Sequence, residues 1–369
     1  MTRVRAIELR LVGIPLVRPF RTSIGVETEK VCVLARVVTD DAEGWGECVT
    51  GPDPGFSEEF NESAWLVIRD FLVPALFAAG EVGSHGVERL LAGVRGNPMA
   101  KATIVNALLD AELRAQDRSL ADFLGATRGR VECGVSVGIT PTPEELLDQV
   151  AGYLDDGYRR IKLKIEPGTD VDRVEAVRNA HPDIALSVDA NAAYTLDDAD
   201  VFRRLDDSKL LMIEQPLHHD DLVQHATLQS MLSTDLCLDE SIRSAADATA
   251  ALELGSCRIV NIKQGRVGGL LEAVRVHDVA IRRAPVWCGG MLETGIGRAA
   301  NLALAALPVI TLPGHTRASS RYFTDDITEP FVMDPAGTMA VPAGPGIGVA
   351  PREDRLRECT IRTELLEKE

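Results

Sequence analysis

Five short apolar runs in this chain carry ionisable residues near their C-terminal ends: IKLKI (Ile161–Ile165), SVDAN (Ser187–Asn191), MIEQP (Met212–Pro216), CLDES (Cys237–Ser241) and NIKQG (Asn261–Gly265). From Lys164 to Asp189, Glu214, Asp239 and Lys263 the intervals are 25, 25, 25 and 24 residues. Charge in a buried strand is costly unless it is paired or binds a metal. Three carboxylates brought together repel one another unless a cation lies between them, and an all-oxygen donor set suits Mg²⁺, or Mn²⁺ or another divalent ion in its place, better than zinc. A lysine on either side of such a cation suits removal of a proton next to a carboxylate. Lys162 can lower the pKa of Lys164 by its charge and hold a substrate carboxylate, and Arg266 can act in the same way beside Lys263.

A strand, a crossover helix and two turns need about 25 residues, so the charges recur once per βα unit. From Cys133 the whole sequence alternates in this way, with strands expected near 134, 160, 186, 210, 236, 258, 286 and 309. Eight such strands point to a TIM-type barrel, whose catalytic groups stand at the C-terminal strand ends. No GxGxxG follows a strand, which weakens a dinucleotide fold. Lys164 on strand 2 and Lys263 on strand 6 then face each other across the ring, with Asp189, Glu214 and Asp239 on the three strands between. A single strand-end Asp or Lys is more often a cap or an ion pair. Five in register, in an interior normally packed with Val, Ile and Leu, favour function.

The flanking segments read differently. Residues 4–12 alternate as a strand, Arg18–Lys30 reads as a loop holding the apolar Phe20, and Val31–Val38 with Gly44–Thr50 reads as a hairpin. Helices follow, one interrupted at Pro74 and a long one over Ala100–Leu124. Strands followed by helices define an α+β unit. The predicted organisation is an α+β capping domain over 1–126, the barrel over 127–320, and a segment over 321–369 that returns to the cap.

The net charge of −17 argues against a nucleic-acid surface. No apolar run is long enough for a membrane span, and the N-terminus lacks the apolar core of a signal peptide. The seven cysteines show no CxxC spacing and read as reduced, buried thiols of a cytoplasmic protein. His218, His219 and His315 read as loop residues rather than metal ligands, and Glu240 as a residue behind the carboxylate series.

The KxK, DAN, EQP, DES and NIK motifs resemble the muconate-lactonising subgroup of the enolase superfamily, whose Lys bases and Mg²⁺ are a known pattern. IKLKIEPG, NIKQGRVGG, VWCGGMLETGIGRAAN and DITEPF resemble its o-succinylbenzoate synthase / N-acylamino acid racemase family, and the likeness runs from PFRTS to GPGIGVAP. The resemblance implies a capped (β/α)₇β barrel in which Arg18–Lys30 closes the pocket. It makes Lys164 and Lys263 the acid/base pair and Asp189, Glu214 and Asp239 the Mg²⁺ ligands. Phe20, Ser136, Lys162, Asn191, Gly289 and Met291 would line the substrate, an N-succinyl or N-acyl amino acid or the o-succinylbenzoate precursor, in a homo-oligomer. Cycloisomerase, dipeptide epimerase and a non-catalytic binding barrel are the alternatives. VWCGG offers no His base of the mandelate-racemase kind, and ITLPGH lacks the acidic pattern of dipeptide epimerases. Gln264 stands where many relatives carry Pro.

Overall fold

A computed structural model describes residues 2–368. Three antiparallel strands, Thr2–Arg21, Val26–Thr39 and Glu43–Cys48, build a sheet, and Thr360–Glu367 adds to the free side of the first strand. Both faces of this sheet are covered. Ile7, Leu9, Val33, Ala35 and Val37 pack with Trp65, Ile68, Leu72, Ile104 and Leu108 of the helices, while Cys32, Leu34 and Trp45 join the core that continues into the barrel. Two-sided burial explains why the stretch Val31–Val38 is apolar nearly throughout rather than strictly alternating.

The helix Pro98–Ala115 lies so close to the Glu43–Cys48 strand that a Cβ on Gly46 would collide with Thr103 O and come within 3.1 Å of Ala107 N. Backbone cannot move aside as a side-chain tip can, so glycine is obligatory there. Gly46→Ala is expected to cost about 3 kcal/mol by overpacking, read as a lower urea midpoint at unchanged m-value. Asp110 on the same helix accepts from Trp45 N at 2.8 Å and from Ile347 N at 2.7 Å, joining helix, sheet and returning tail.

The hairpin is longer than its sequence suggests. Strand pairing extends to Phe20↔Glu27 and Arg21↔Val26, leaving only residues 22–25 as the turn, so Arg18–Lys30 is mostly strand rather than loop. The ladder is irregular between Pro15 and Phe20. Proline has no N–H to donate and is tolerated at such irregularities, so Pro15 and Pro19 interrupt the strand without ending it. The long helix is also split, into Pro98–Ala115 and Leu120–Leu124. Around Pro74 the chain forms a π-turn over Ile68–Leu72 before the helix Val73–Ala79.

Seven parallel strands follow in sequential order: Gly134–Val137, Arg160–Lys164, Ala185–Asp189, Ile213–Glu214, Leu236–Leu238, Ile259–Ile262 and Val286–Cys288. A helix follows each, the last being Gly295–Ala305. The eighth position is filled by single parallel bridges, Ile310 to Val286 and Gly314 to Cys133. Pro308 and Pro313 in this stretch lack the N–H a longer ladder needs. The architecture is a (β/α)₇β barrel carrying an α+β cap. No helix among the described residues is long and apolar enough to cross a membrane.

Candidate active site

Parallel register brings the charged strand ends side by side. Lys164 is level with Asp189, and Asp189 with Glu214. Lys162 lies two residues earlier on its strand, so it faces the same way into the barrel. Its Nζ bridges Asp189 Oδ2 at 2.7 Å and Glu214 Oε2 at 2.6 Å. Lys164 Nζ donates to Asp189 Oδ2 at 2.7 Å and to Asn191 Oδ1. Across the ring, Lys263 Nζ lies 2.8 Å from Asp239 Oδ2, and Arg266 Nη1 lies 2.6 Å from Asp239 Oδ1. Asn261 Nδ2 donates to Glu214 Oε1 at 3.0 Å.

Burial and neighbours set the charge states. For Asp189, burial favours the neutral acid, but Lys162 and Lys164 outweigh it and hold the pKa at about 2. Burial likewise opposes ionisation of Asp239, and Arg266 and Lys263 override it, keeping the group well below the usual carboxylate range. Glu214, with burial and Asp189 both acting against its charge, is pushed up to about 7. Lys164 is lowered by burial and by the Lys162 charge beside it, whereas in Lys162 the attraction of Asp189 and Glu214 overcomes burial and raises the pKa.

The donor chemistry fits a hard divalent cation. Asp189, Glu214 and Asp239 are essentially inaccessible, and all three present only oxygen. Asp239 contacts two cationic side chains closely, yet neither of its oxygens has a partner in hydrogen-bond geometry. Its lone pairs are free to be claimed by a central cation, with Lys162 standing in part for that charge between the other two carboxylates. A second cluster of ligand-type atoms, His218, His219 and Asp220, lies partly exposed on the loop after Glu214. It has no buried unpartnered donor. His315 packs its ring 4.8 Å from Trp287 and is held well below its usual pKa by burial and Arg317.

Lys164 and Lys263 open into one cleft of about 230 Å³, which Phe20, Asn191 and Met291 also line. Cap residues complete it, among them Lys30, Asp53 and Phe56. A wider hollow of about 620 Å³ lies at the opposite strand ends, beside Asp235, Arg258 and Pro285, and contains none of these groups. Gly289 makes room for Asn261 and Lys263 together, because a Cβ there would collide with Asn261 Oδ1 and stand 2.8 Å from Lys263 Cγ. Ser136 is level with Lys162, but its buried Oγ has no partner. Glu240 accepts from Asn191 Nδ2 at 2.8 Å and so orients the amide that meets Lys164. Gln264 Oε1 accepts from Asn106 of the cap helix at 2.5 Å, giving this position an interdomain bond that proline could not make.

Several contributors lie outside the strand-end pattern. Phe56 places its ring 5.8 Å from Lys263 Nζ. Arg160, fully buried, stacks 4.0 Å from the Trp287 ring, and burial brings its pKa down to about 10 despite the opposing charge of Glu214. The RR pair opening RRIKLKI is its only trace in the sequence. Glu47 of the cap accepts from Thr294 N at 3.1 Å, Thr294 Oγ1 at 2.7 Å and Gly297 N at 2.9 Å, at the start of the helix Gly295–Ala305. A carboxylate suits a helix N-terminus, and this one fastens cap to barrel beside Met291, whose carbonyl accepts from Lys30 Nζ at 3.1 Å. Glu47→Ala leaves two buried N–H groups and a hydroxyl unpaired, so a loss of about 3 kcal/mol in urea unfolding is expected.

A capped barrel with carboxylates on three successive strands and lysines on the strands either side defines a class of enzyme site. The family model described as the mandelate racemase / muconate lactonizing enzyme N-terminal domain matches residues 6–125, and the enolase C-terminal domain-like model matches 145–355. The chain belongs to the enolase superfamily, in its muconate-lactonising subgroup. It is 56% identical to an N-succinylamino acid racemase of Amycolatopsis sp, over 97% of this chain and 98% of that protein. It is 49% identical to an o-succinylbenzoate synthase of Geobacillus stearothermophilus, over 92% and 91% of the two chains. The crystal structure of an enolase-superfamily member from Listeria innocua superposes with a TM-score of 0.96 at 39% identity, covering 100% of both chains.

Proposed function

We propose that this enzyme removes the proton α to a carboxylate, racemising N-succinyl and other N-acyl amino acids and carrying o-succinylbenzoate synthase activity through the same groups. The observation that carries this reading is the opposition of Lys164 and Lys263 across one cleft with the carboxylate trio between them. The racemase and synthase relatives support it. Lys164 takes the α-proton from one face and Lys263 returns one to the other, and the roles exchange for the opposite enantiomer. In the synthase reaction Lys164 serves as base and then as acid for loss of water, while Lys263 remains a cation beside the enediolate. Asp189, Glu214 and Asp239 would hold Mg²⁺, which when bound supplies Lewis-acid stabilisation of the substrate carboxylate as negative charge develops on it. Lys162 holds the same carboxylate.

Asn191 keeps Lys164 aimed, and Phe20, Ser136, Gly289 and Met291 bound the substrate. In this reading residues 1–126 and 321–369 form the closing half of the site and 127–320 the reactive half. The seven cysteines are free and buried, which supports a reducing cytoplasm. The protein works as a homo-oligomer on small carboxylates.

The test is solvent exchange. N-succinyl-phenylalanine incubated with the enzyme and Mg²⁺ or Mn²⁺ in D₂O should acquire α-deuterium and lose optical rotation, and the synthase substrate should yield o-succinylbenzoate. Neither exchange nor product would remove the catalytic reading and leave a binding barrel.

A further inference from the structure

Behind the junction of the first and eighth barrel positions, two arginines lie in a region that supplies no counter-charge. Arg317 and Arg321 are 5% and 8% exposed. Among the described residues neither has a carboxylate within ion-pair distance. The Nε of each has no partner, and Arg321 Nη2 reaches only the carbonyl of Ser136, at 3.3 Å. Glu293, the acid felt by Arg317, gives its Oε1 to Met291 N at 2.7 Å and Asn301 Nδ2 at 2.9 Å and pairs with neither arginine.

Aromatic rings occupy the space that acids would fill. Arg317 lies 5.1 Å from the Tyr322 ring centre, and Arg321 lies 5.1 Å from Tyr322 and 5.0 Å from Tyr153. Ring faces attract cations, but more weakly than an ion of opposite sign does in a desolvated setting. Burial pushes the Tyr158 hydroxyl up, and the hydroxyls of Tyr153 and Tyr322 are buried without partners. Burial, with Arg321 second, brings Arg317 down to about 9. Two neighbouring buried cations and two unused hydroxyl donors are a donor set without an acceptor.

We propose that Arg317 and Arg321, with the hydroxyls of Tyr153 and Tyr322, bind one small anion of carboxylate or halide size. The place gives the anion a role. Tyr322 O accepts from Val17 N at 2.8 Å, and Phe20, which lines the substrate cleft, stands 6.3 Å from the Tyr322 ring and 6.0 Å from the Arg321 guanidinium. The anion therefore fixes the root of the strand that carries Phe20 over the substrate. It has two possible sources: a free anion from solution, or the distal carboxylate of a succinyl arm reaching past Phe20, which rests on the racemase reading given above.

Three measurements decide. Crystals of the whole protein soaked in bromide are examined for anomalous scattering within hydrogen-bond distance of the two guanidiniums. Melting temperature is followed as chloride or bromide is added at constant ionic strength. The ratio of kcat/KM for N-succinyl- over N-acetyl-phenylalanine is compared between the parent enzyme, Arg317→Met and Arg321→Met, with and without halide. A bromide peak and a saturable rise in melting temperature, with halide acting equally on both substrates, establish the free anion. A ratio that falls about tenfold or more in the variants, with halide competing against the succinyl substrate only, establishes the substrate carboxylate. No peak, no halide-dependent melting and an unchanged ratio overturn the site. The first two measurements use the unaltered protein, so they stand if a variant does not fold. They also require no turnover, so with an enzyme inactive on both substrates they alone decide, and failure here is separate from failure of the racemase reading.

Discussion

Lys263→Ala and Lys164→Ala each abolish racemisation, by about 10³-fold or more, as expected for loss of an acid/base group, while leaving α-proton exchange on opposite enantiomers. On the proposed two-base reading each lysine addresses the α-carbon from its own side of the cleft that both line, so the surviving lysine would still remove and return a proton on the face it touches. Exchange then proceeds with retention. The measurement is proton NMR in D₂O on each pure enantiomer of N-succinyl-phenylalanine, with chirality read in parallel. Full racemisation of both enantiomers by either variant would falsify the two-base assignment. Equal residual exchange from both enantiomers in one variant would show that a single group serves both faces. The cleft geometry argues against that outcome, because Asp189 and Asn191 hold Lys164, whereas Asp239 holds Lys263. Folding is checked separately, since removing either ammonium leaves a buried carboxylate short of charge.

Glu214→Gln removes one of three anionic oxygen donors and is expected to weaken Mg²⁺ or Mn²⁺ binding by about 100-fold or more, beyond the effect usual for a supporting residue. Equilibrium dialysis with Mn²⁺ reads this without any turnover. Thermal stability gives a second reading: an ion at 100 times its Kd stabilises the folded protein by about 2.7 kcal/mol, and this increment should fall to about 0.4 kcal/mol or less in the variant at the same ion concentration. Glu214 is an informative choice because each of its oxygens has one partner, Lys162 on one and Asn261 on the other. Neutral glutamine keeps the Asn261 neighbourhood but leaves Lys162 paired with Asp189 alone. Unchanged Mn²⁺ affinity would exclude Glu214 as a ligand.

The strand-end residues were legible because a βα repeat turns sequence spacing into angular position around a ring. Once Lys164, Asp189, Glu214, Asp239 and Lys263 recur at one period, their convergence follows from topology. No such rule covers Glu47, Phe56 or Arg160. Glu47 matters through a helix about 250 residues away, and Phe56 through a cap loop folding over Lys263. Nothing local distinguishes a clamp from an ordinary strand glutamate. The loop expected over Arg18–Lys30 is the place where local reading fails, because the first strand passes Pro15 and Pro19 to reach Phe20. Pro308 and Pro313 lie in a stretch placed correctly as the eighth barrel position, which pairs through single bridges instead of a full ladder.

The Thr360–Glu367 strand pairs with the first strand from Ala6↔Glu367 to Val12↔Thr360, and this sets an order on the molecule's own construction. The ribosome adds roughly 5–20 residues per second, so the first strand waits on the order of tens of seconds for the partner on its outer side. Meanwhile the local βα units of the barrel can form, because each closes over a short stretch of chain. The sheet carrying Phe20 and Lys30 therefore receives its outermost strand last. An unpaired strand edge left exposed for that interval is open to pairing with another chain.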